Sequence, residues 1–469
     1  MKIFGNKKNQ NGMKLTFCGG TGAVTGANFL IEHKDDSGKN VKFLVDCGLM
    51  QGTETADSFN RDPFPYNPAE IDFLIVTHAH MDHTGRIPKL VKDGFNGKII
   101  STPPTKDMAT YLFDDALGIM DSDSRKNGVL PMYEKKDVEK ALSIWETLPY
   151  HQVFGLGAGV SISFMDSGHI LGSAMVEVND GKVKAIFTGD LGNSPSLLLN
   201  NTEDITDADY IIMESVYGDR NHESKEKRRQ ELKDVIKDTI DEKRVLIIPV
   251  FSIERTQMML YEMNEFFEKH ELQQTPVFLD SPLAIKITSV YEKYCSYLNK
   301  TVCDEIKKGD DVFNFPRLKS TPLSRDSEKI DFTPNPKIIL AGSGMSNGGR
   351  IVHHEHDHAG DKNATILLVG YQAIGTLGRQ LEDGAKKVKI YGQEMPVRAT
   401  ITKIEGFSSH KDSDNLVAFV DTANKSHKLK KVFAVMGEPK ASLFLVQRLR
   451  DEIDVNAEYP ELKESVMLN

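Results

Sequence analysis

Within six consecutive positions, His78-Ala79-His80-Met81-Asp82-His83 offers three imidazoles and one carboxylate. The segment continues DFLIVT (72–77), whose apolar run reads as a buried strand, so four ligand-type side chains leave one strand end together. Core packing does not account for them, because each buried polar tip would need a partner of its own. Nitrogen and carboxylate donors without a thiolate suit zinc, with manganese or iron as alternatives. Two later strand ends carry further donors: His169 in DSGH (166–169) and Asp190 in TGDLG (188–192). Taken alone, each is as readily an ordinary turn residue as a ligand.

The elements that must position these groups are legible as short apolar runs ending in polar or glycine-rich turns. KFLVDCG (42–48), DFLIVTHAH (72–80), KAIFTGDLG (184–192) and DYIIMES (209–215) are four of them. VLIIPVFS (245–252), KIILAGSG (337–344), TILLVGYQ (365–372) and KVFAVMGE (431–438) are four more. Runs of this length, rich in Val and Ile, predict buried strands, and ligands in α/β layouts collect beyond the carboxyl ends of such strands. Between them, 223–243 carries Leu232, Val235, Ile236 and Ile240 on one helical face and charge elsewhere, which predicts a solvated helix. The stretch 301–336 mixes acidic, Pro and Ser residues and reads as irregular with short helices.

A chain of 469 residues is too long for one simple core, so two or more domains are expected. Its 39% hydrophobic and 27% charged residues are those of an ordinary globular protein. A net charge of −10 argues against a generic nucleic-acid coat protein but leaves room for a local basic channel. Cys18, Cys47, Cys295 and Cys303 contain no CxxC pair, which argues against a disulfide framework or a cysteine zinc finger and predicts buried thiols. The first dozen residues, MKIFGNKKNQNG, lack the apolar run of a signal peptide, and no run reaches the ~18–20 residues that span a bilayer. A cytoplasmic protein without a membrane partner is expected.

The order Asp46, HAHMDH (78–83), His169, Asp190 resembles the ligand series of the metallo-β-lactamase superfamily. The resemblance implies an αββα sandwich with two zinc ions at its edge. By it, His78, His80 and His169 would hold one ion and Asp82 and His83 the other, with Asp190 bridging. Asp46 would stand behind a ligand imidazole and fix its tautomer.

The continuation is similar to the β-CASP branch of that superfamily. ESVYGDR (214–220) looks like its first motif and GFSSH (406–410) like its second. PVFSIERTQ (249–257), DSPLA (280–284), GSGM (342–345) and GGR (348–350) resemble landmarks of its inserted α/β domain. The match runs from about residue 13 to the end and suggests relatives of the messenger-RNA 3′-processing endonuclease in bacteria and archaea. It implies a metallo-β-lactamase domain over 13–214 and 396–469, an inserted β-CASP domain over 215–395, and substrate in the cleft between them. The implied reaction is hydrolysis of single-stranded RNA, in which two metals activate water and stabilise charge on the attacking and leaving oxygens. Asp82, Glu214 and His410 would be its catalytic residues. His410 would protonate the leaving ribose oxygen, and Glu214 would orient it and raise its pKa. Ser343, Arg255, Arg350 and Arg379 are candidate phosphate contacts, with surface solvation the alternative for each arginine.

One position departs from the pattern. The family's third motif, a His-Gly-Glu turn ligating the second metal, is here Met436-Gly437-Glu438. A neutral thioether is a poor zinc donor beside carboxylates, so weaker binding at the second site is expected. The run His353-His354-Glu355-His356-Asp357-His358 offers an i, i+4 histidine pair but reads more simply as a polar helix start. A zinc-dependent endoribonuclease is the leading reading, with 5′-exonuclease action the variant within it. A catalytically weak RNA-binding subunit and a small-molecule ester or thioester hydrolase are the alternatives. The insertion of about 180 residues suits a polymer better than a small pocket. Single-stranded RNA is the expected partner, and a homodimer is compatible with the sequence.

Overall fold

The computed structural model describes residues 12–52, 55–373 and 375–469. Eleven of the first dozen residues, on which the reading about a signal peptide rested, lie outside them. The chain divides into two compact units. One comprises the chain up to Ser194, Asn201–Asn221 and His410–Asn469; the other comprises Pro195–Asn200 and His222–Ser409.

The first unit is a sandwich of two seven-stranded sheets. In order across the first sheet run Ser465–Leu468, Gly12–Phe17, Phe29–Lys34, Asn40–Val45, Phe73–Ile75, Lys98–Ser101 and Trp145–Thr147. The second runs Ala457–Glu458, Lys431–Val435, Tyr210–Glu214, Lys184–Phe187, Ala174–Asn179, Val160–Asp166 and Phe154–Gly157. Alternation along each strand sends neighbouring side chains to opposite faces. Phe43 and Val45 enter the core between the sheets while Leu44 faces the helices outside, and Ile212 faces in while Ile211 and Met213 face out. Rings from both sheets meet in the centre: Phe17 lies 5.3 Å from Phe433, and Phe29 lies 5.9 Å from Phe187.

Helices cover both outer faces. Residues of Ile87–Lys92, Pro103–Asn127 and Lys135–Ser143 pack on the first sheet through Leu90, Phe113 and Val138. Ser413–Ala423 and Pro439–Ile453 pack on the second through Leu416, Val420, Leu445 and Leu449. This is the αββα layering that the resemblance implies. Every large side chain named here is less than a tenth exposed, and burial of each contributes roughly 1.5–3 kcal/mol.

The second unit is built on a six-stranded, wholly parallel sheet in the order Leu318–Ser320, Val277–Asp280, Lys337–Ala341, Val245–Pro249, Ala364–Leu368 and Thr400–Lys403. Its central strands are buried at every position, as a sheet covered on both faces requires. Helix Lys225–Asp241 buries Leu232, Ile236 and Ile240 and leaves Val235 half-buried. The stretch 301–336 contains short helices, as its composition suggests, and also the strand Leu318–Ser320, which its polar residues conceal. Edge position explains the difference: that strand pairs on one side only, with Val277–Asp280. No helix among the described residues is long and apolar enough to cross a membrane.

The cysteines are free. Burial pushes the thiols of Cys18 and Cys47 up to about 12, so both are inert. Cys295 and Cys303, separate in sequence, are brought together with their sulfurs 3.3 Å apart.

Candidate active site

Strand ends of the first unit converge on one edge of the sandwich. His78 lies three residues beyond Phe73–Ile75, and His80 caps the four-residue helix Met81–Thr84 that carries Asp82 and His83. His169 follows Val160–Asp166 in a loop pinned by Ser173, whose hydroxyl accepts from the backbone N–H of His169 at 3.0 Å and of Ile170 at 3.2 Å. Asp190 follows Lys184–Phe187. Gly189 before it has φ +52°, and a Cβ there would fall 2.8 Å from Thr77, so this turn demands glycine.

Three donor groups share Asp190. His78, His80, His169 and Asp190 form the first, Asp82, His83 and Asp190 the second, and Asp190, Glu214 and His410 the third. In the first, His78 Nε2 is 3.1 Å from His80 Nδ1, and His80 Nδ1 is 3.3 Å from His169 Nε2. Asp190 Oδ2 is 3.4 Å from both His78 Nε2 and His169 Nε2. Donors held around one zinc at its usual bond length stand about 3.3–3.4 Å apart at tetrahedral corners. The spacing therefore fits a divalent ion. In the second group, His83 Nε2 is 3.3 Å from Asp190 Oδ1 and 3.9 Å from Asp82 Oδ2. Both His83 Nε2 and Asp190 Oδ1 are buried without a hydrogen-bond partner, and a cation between them would satisfy both.

The surrounding hydrogen bonds fix which nitrogen faces inward. Thr77 donates its hydroxyl to Asp46 Oδ2 at 2.8 Å, so its oxygen is left to accept from His78 Nδ1 at 3.1 Å. That leaves the lone pair of His78 on Nε2, toward the cluster. Burial, with help from neighbouring imidazoles, holds His80 and His169 well below the ordinary histidine range, so both present lone pairs. Burial opposes charge on His83 too, but Asp190, Asp46 and Asp82 outweigh it and raise its pKa well above that range. A proton on His83 thus balances the carboxylates where a metal ion would otherwise do so.

Beside the first group lies a second kind of arrangement. Glu214, the last residue of Tyr210–Glu214, is wholly buried, and its carboxylate accepts from the N–H of Leu191. His410 Nδ1 stands 3.0 Å from Glu214 Oε2, and the His410 ring is 4.6 Å from that of His169. A bridge between Gly192 and His410, with the N–H of Lys411 donating to Leu191 at 2.9 Å, brings these distant segments together. Burial opposes charge on His410, but Glu214 and Asp190 raise it to about 9. Glu214 itself is raised by burial, with His410 acting against that rise.

The candidate phosphate contacts lie in the other unit. Arg350 is tied to Asp280 at 2.6 Å and to the carbonyls of Thr321 and Pro322, which occupies its guanidinium. Arg255 is buried, its guanidinium 5.6 Å from the Phe407 ring. Ser343 donates its hydroxyl to Asn347 Oδ1 at 2.5 Å, and the Nε–H of Arg379 is shared between both carboxylate oxygens of Asp383 at 2.9 and 3.0 Å. In the histidine-rich helix Ile351–His358, His354 is buried against Asp280 at 2.7 Å, and among the described residues no metal-holding group forms there. Met436 is 2% exposed and belongs to the apolar core between the sheets. Sequence reading passed over Thr77 and Ser173; their adjacency to ligand-type residues was the available signal, but hydroxyls are too common in turns for it to stand out.

Three family models match the chain in sequence order. They are a metallo-beta-lactamase superfamily domain over 36–214, a Beta-Casp domain over 256–381 and a Zn-dependent metallo-hydrolase RNA specificity domain over 394–460. The protein is 34% identical over 405 residues to Ribonuclease TTHA0252 of Thermus thermophilus, covering 86% of this chain and 90% of that one. It belongs to the β-CASP branch of the metallo-β-lactamase superfamily. This β-CASP protein is also 30% identical to Transcription termination factor FttA of Thermococcus kodakarensis, over 97% of its own length and 71% of the relative's. The factor of the same name from Methanosarcina mazei is 29% identical, over 94% of this chain and 70% of the relative. A solved structure of a protein of unknown function from Enterococcus faecalis shares the fold, with TM-score 0.56, 13% identity and coverage of 97% of this chain and all of the other. The β-CASP chain is accordingly a metal-dependent hydrolase, with its donor atoms grouped for divalent ions.

Proposed function

We propose that the chain is a zinc-dependent ribonuclease that cuts single-stranded RNA internally, with His410 as proton donor. The observation that carries this reading is the 3.0 Å contact between His410 Nδ1 and the buried carboxylate of Glu214, beside the imidazole of His169. Metal-assisted hydrolysis of a phosphodiester uses ions to activate water and an acid for the leaving oxygen, and the first unit holds candidates for both. The match to an RNA specificity domain over 394–460 and the similarity to a ribonuclease support RNA over a small ester.

In this reading His78, His80, His169 and Asp190 hold one zinc, and Asp82, His83 and the shared Asp190 hold the other. Bound there, the ions would lower the pKa of water and offset charge on the phosphate. Glu214 anchors His410 through Nδ1 and keeps it protonated at neutral pH, so the other ring nitrogen is left to donate to the leaving ribose oxygen. Asp46 holds His83 in the tautomer that turns Nε2 to the cluster. The division we assign is a catalytic domain with a β-CASP domain inserted into it, the chain re-entering the catalytic domain near His410 because Thr400–Lys403 pairs in the inserted domain's sheet. A cytoplasmic setting belongs to the same reading. All of the site's residues come from one chain, so the reading does not require a homodimer.

Met436 favours a second reading, a catalytically weak RNA-binding subunit, because the second group has three protein donors and the thioether lies in the apolar core. The test is incubation of zinc-loaded protein with single-stranded RNA labelled at either end, beside His80→Ala and His410→Ala. Cleavage lost in the first variant and slowed ~10²–10⁴-fold in the second is the expected result. Internal products mean endonuclease, and mononucleotides from one end mean exonuclease. Binding without cleavage by the unaltered protein would turn the conclusion to the weak subunit.

A further inference from the structure

Two aromatic rings stand exposed at the carboxyl edge of the parallel sheet in the second unit. Phe251, two residues beyond the strand Val245–Pro249, is 38% exposed, and Tyr371, three beyond Ala364–Leu368, is 53% exposed. These strands are paired neighbours, so the two loops leave the sheet side by side. The strand Lys337–Ala341 pairs on the other side of Val245–Pro249 and delivers the glycine-rich loop that begins at Gly342.

That loop is fitted to the Phe251 ring. A Cβ on Gly344 would lie 2.6–2.9 Å from Cδ2, Cε2 and Cγ of Phe251, and one on Gly370 would lie 3.9 Å from Cε2. The ring therefore rests on bare backbone, in a seat that any larger residue at 344 would destroy. Gln372, 1% exposed, donates its amide to the carbonyls of Gly344 at 3.1 Å and Gly370 at 3.3 Å, which ties the loop carrying Tyr371 to the glycine-rich loop on which the Phe251 ring rests. Arg379 lies in the helix Leu377–Glu382 that follows the Tyr371 loop in sequence, and its Nε–H donates to Asp383.

Solvent-facing rings, one of them seated on bare backbone, with a cation on the following helix are what a single-stranded nucleic acid needs, since every base offers a π-face and every linkage a negative charge. The carboxyl edge of a parallel sheet is also where ligands gather in such folds. We propose that Phe251 and Tyr371 form a stacking platform for bases of single-stranded RNA, with Arg379 supplying positive charge for the backbone. The inference rests on the ribonuclease reading and gives that enzyme a sequence-tolerant means of holding its substrate.

The test is steady-state cleavage and equilibrium binding of a labelled RNA by Phe251→Ala, Tyr371→Ala, Phe251→Tyr and Tyr371→Phe. Each alanine variant is expected to raise KM and Kd about 5- to 150-fold, the loss of one stacked base, with a smaller change in kcat. The two aromatic exchanges should restore binding. An RNA with an abasic site should bind the unaltered protein more weakly, and the alanine variant that lacks the corresponding ring should show no further loss. Unchanged KM and Kd in both alanine variants, while the unaltered protein cleaves RNA, would overturn the platform and leave the nuclease standing. If the unaltered protein does not cleave RNA, the nuclease reading fails, and equal RNA binding by it and the alanine variants overturns the platform as well. Tyr371→Ala, at a half-exposed position, keeps the test available if Phe251→Ala does not fold.

Discussion

Nδ1 of His83 stands 2.7 Å from Oδ2 of Asp46, and both side chains are 1% exposed. Asp46 holds a left-handed backbone, φ +59°, and also accepts from the N–H and hydroxyl of Thr77, each at 2.8 Å. A strained residue with all its bonds made is over-determined, and its carboxylate has no freedom to release the imidazole. Asp46→Asn can turn its amide toward His83 and favour the wrong tautomer. We expect zinc affinity at the Asp82–His83–Asp190 group to fall ~10–100-fold, measured by competition with a chelator. Equal affinities in both proteins would mean that Asp46 supports the loop and nothing more.

The Glu214–His410 pair sets a pH limit. An acid must be protonated, and Glu214 and Asp190 raise His410 to about 9 against the opposing effect of burial. Activity should therefore persist through neutrality and decline as pH rises through the pKa of His410. Glu214→Gln removes the main charge that raises it, so the alkaline limb should move down toward the ordinary ~6.5. Bound cations act in the opposite direction to Glu214, so the shift is to be read at matched zinc loading. In metal-free protein the sign for stability is the same: a raised folded pKa contributes stability that is full below ~6.5 and is lost as pH rises through the folded value. A limb unmoved by Glu214→Gln would assign it to another group.

Met436 has φ +50°, and its N–H donates to Gly20 at 2.6 Å. Its sulfur lies so close to Gly20 that a Cβ there would fall 2.8 Å from it. Histidine tolerates a left-handed backbone better than methionine does. Met436→His should lower the metal-free melting temperature, because an imidazole enters an apolar core, and should raise affinity for the second zinc more than ~10-fold by adding a suitable donor. Calorimetric titration of both proteins checks this. Two equally tight zinc ions in each would show that position 436 has no bearing on the metal.

Gly48 lies against the helix that carries Asp82 and His83. A Cβ on it would fall 1.5 Å from the carbonyl oxygen of Asp82, a backbone atom that cannot turn aside. Gly48→Ala is expected to destabilise the protein by at least ~1–3 kcal/mol in denaturant unfolding, and to weaken metal binding with it. A neutral effect would mean that the Asp82 turn is softer than its packing implies.

Much of the site was legible because its donors cluster in sequence. His78, His80, Asp82 and His83 occupy six positions after an apolar run, and KFLVDCG and DYIIMES read as buried strands from their continuous apolar residues. The eight apolar runs all contain strands, since continuous Val and Ile at that length suits a buried sheet and little else. The order of ligand-type residues along the chain also carried the family. What stayed hidden depends on side chains remote in sequence meeting in space. The resemblance paired Glu214 with His410, but how residue 410 reaches the end of Tyr210–Glu214, through a bridge at Gly192, is seen only in the fold. Arg350, a candidate phosphate contact in the sequence, meets Asp280 only in the fold. Sequence determined which chemical groups were present and which elements carried them, because propensity and periodicity are local. Tertiary structure alone decided tautomer, protonation and the partner of each charge, because these depend on burial and on distances of a few ångströms between segments far apart in the chain.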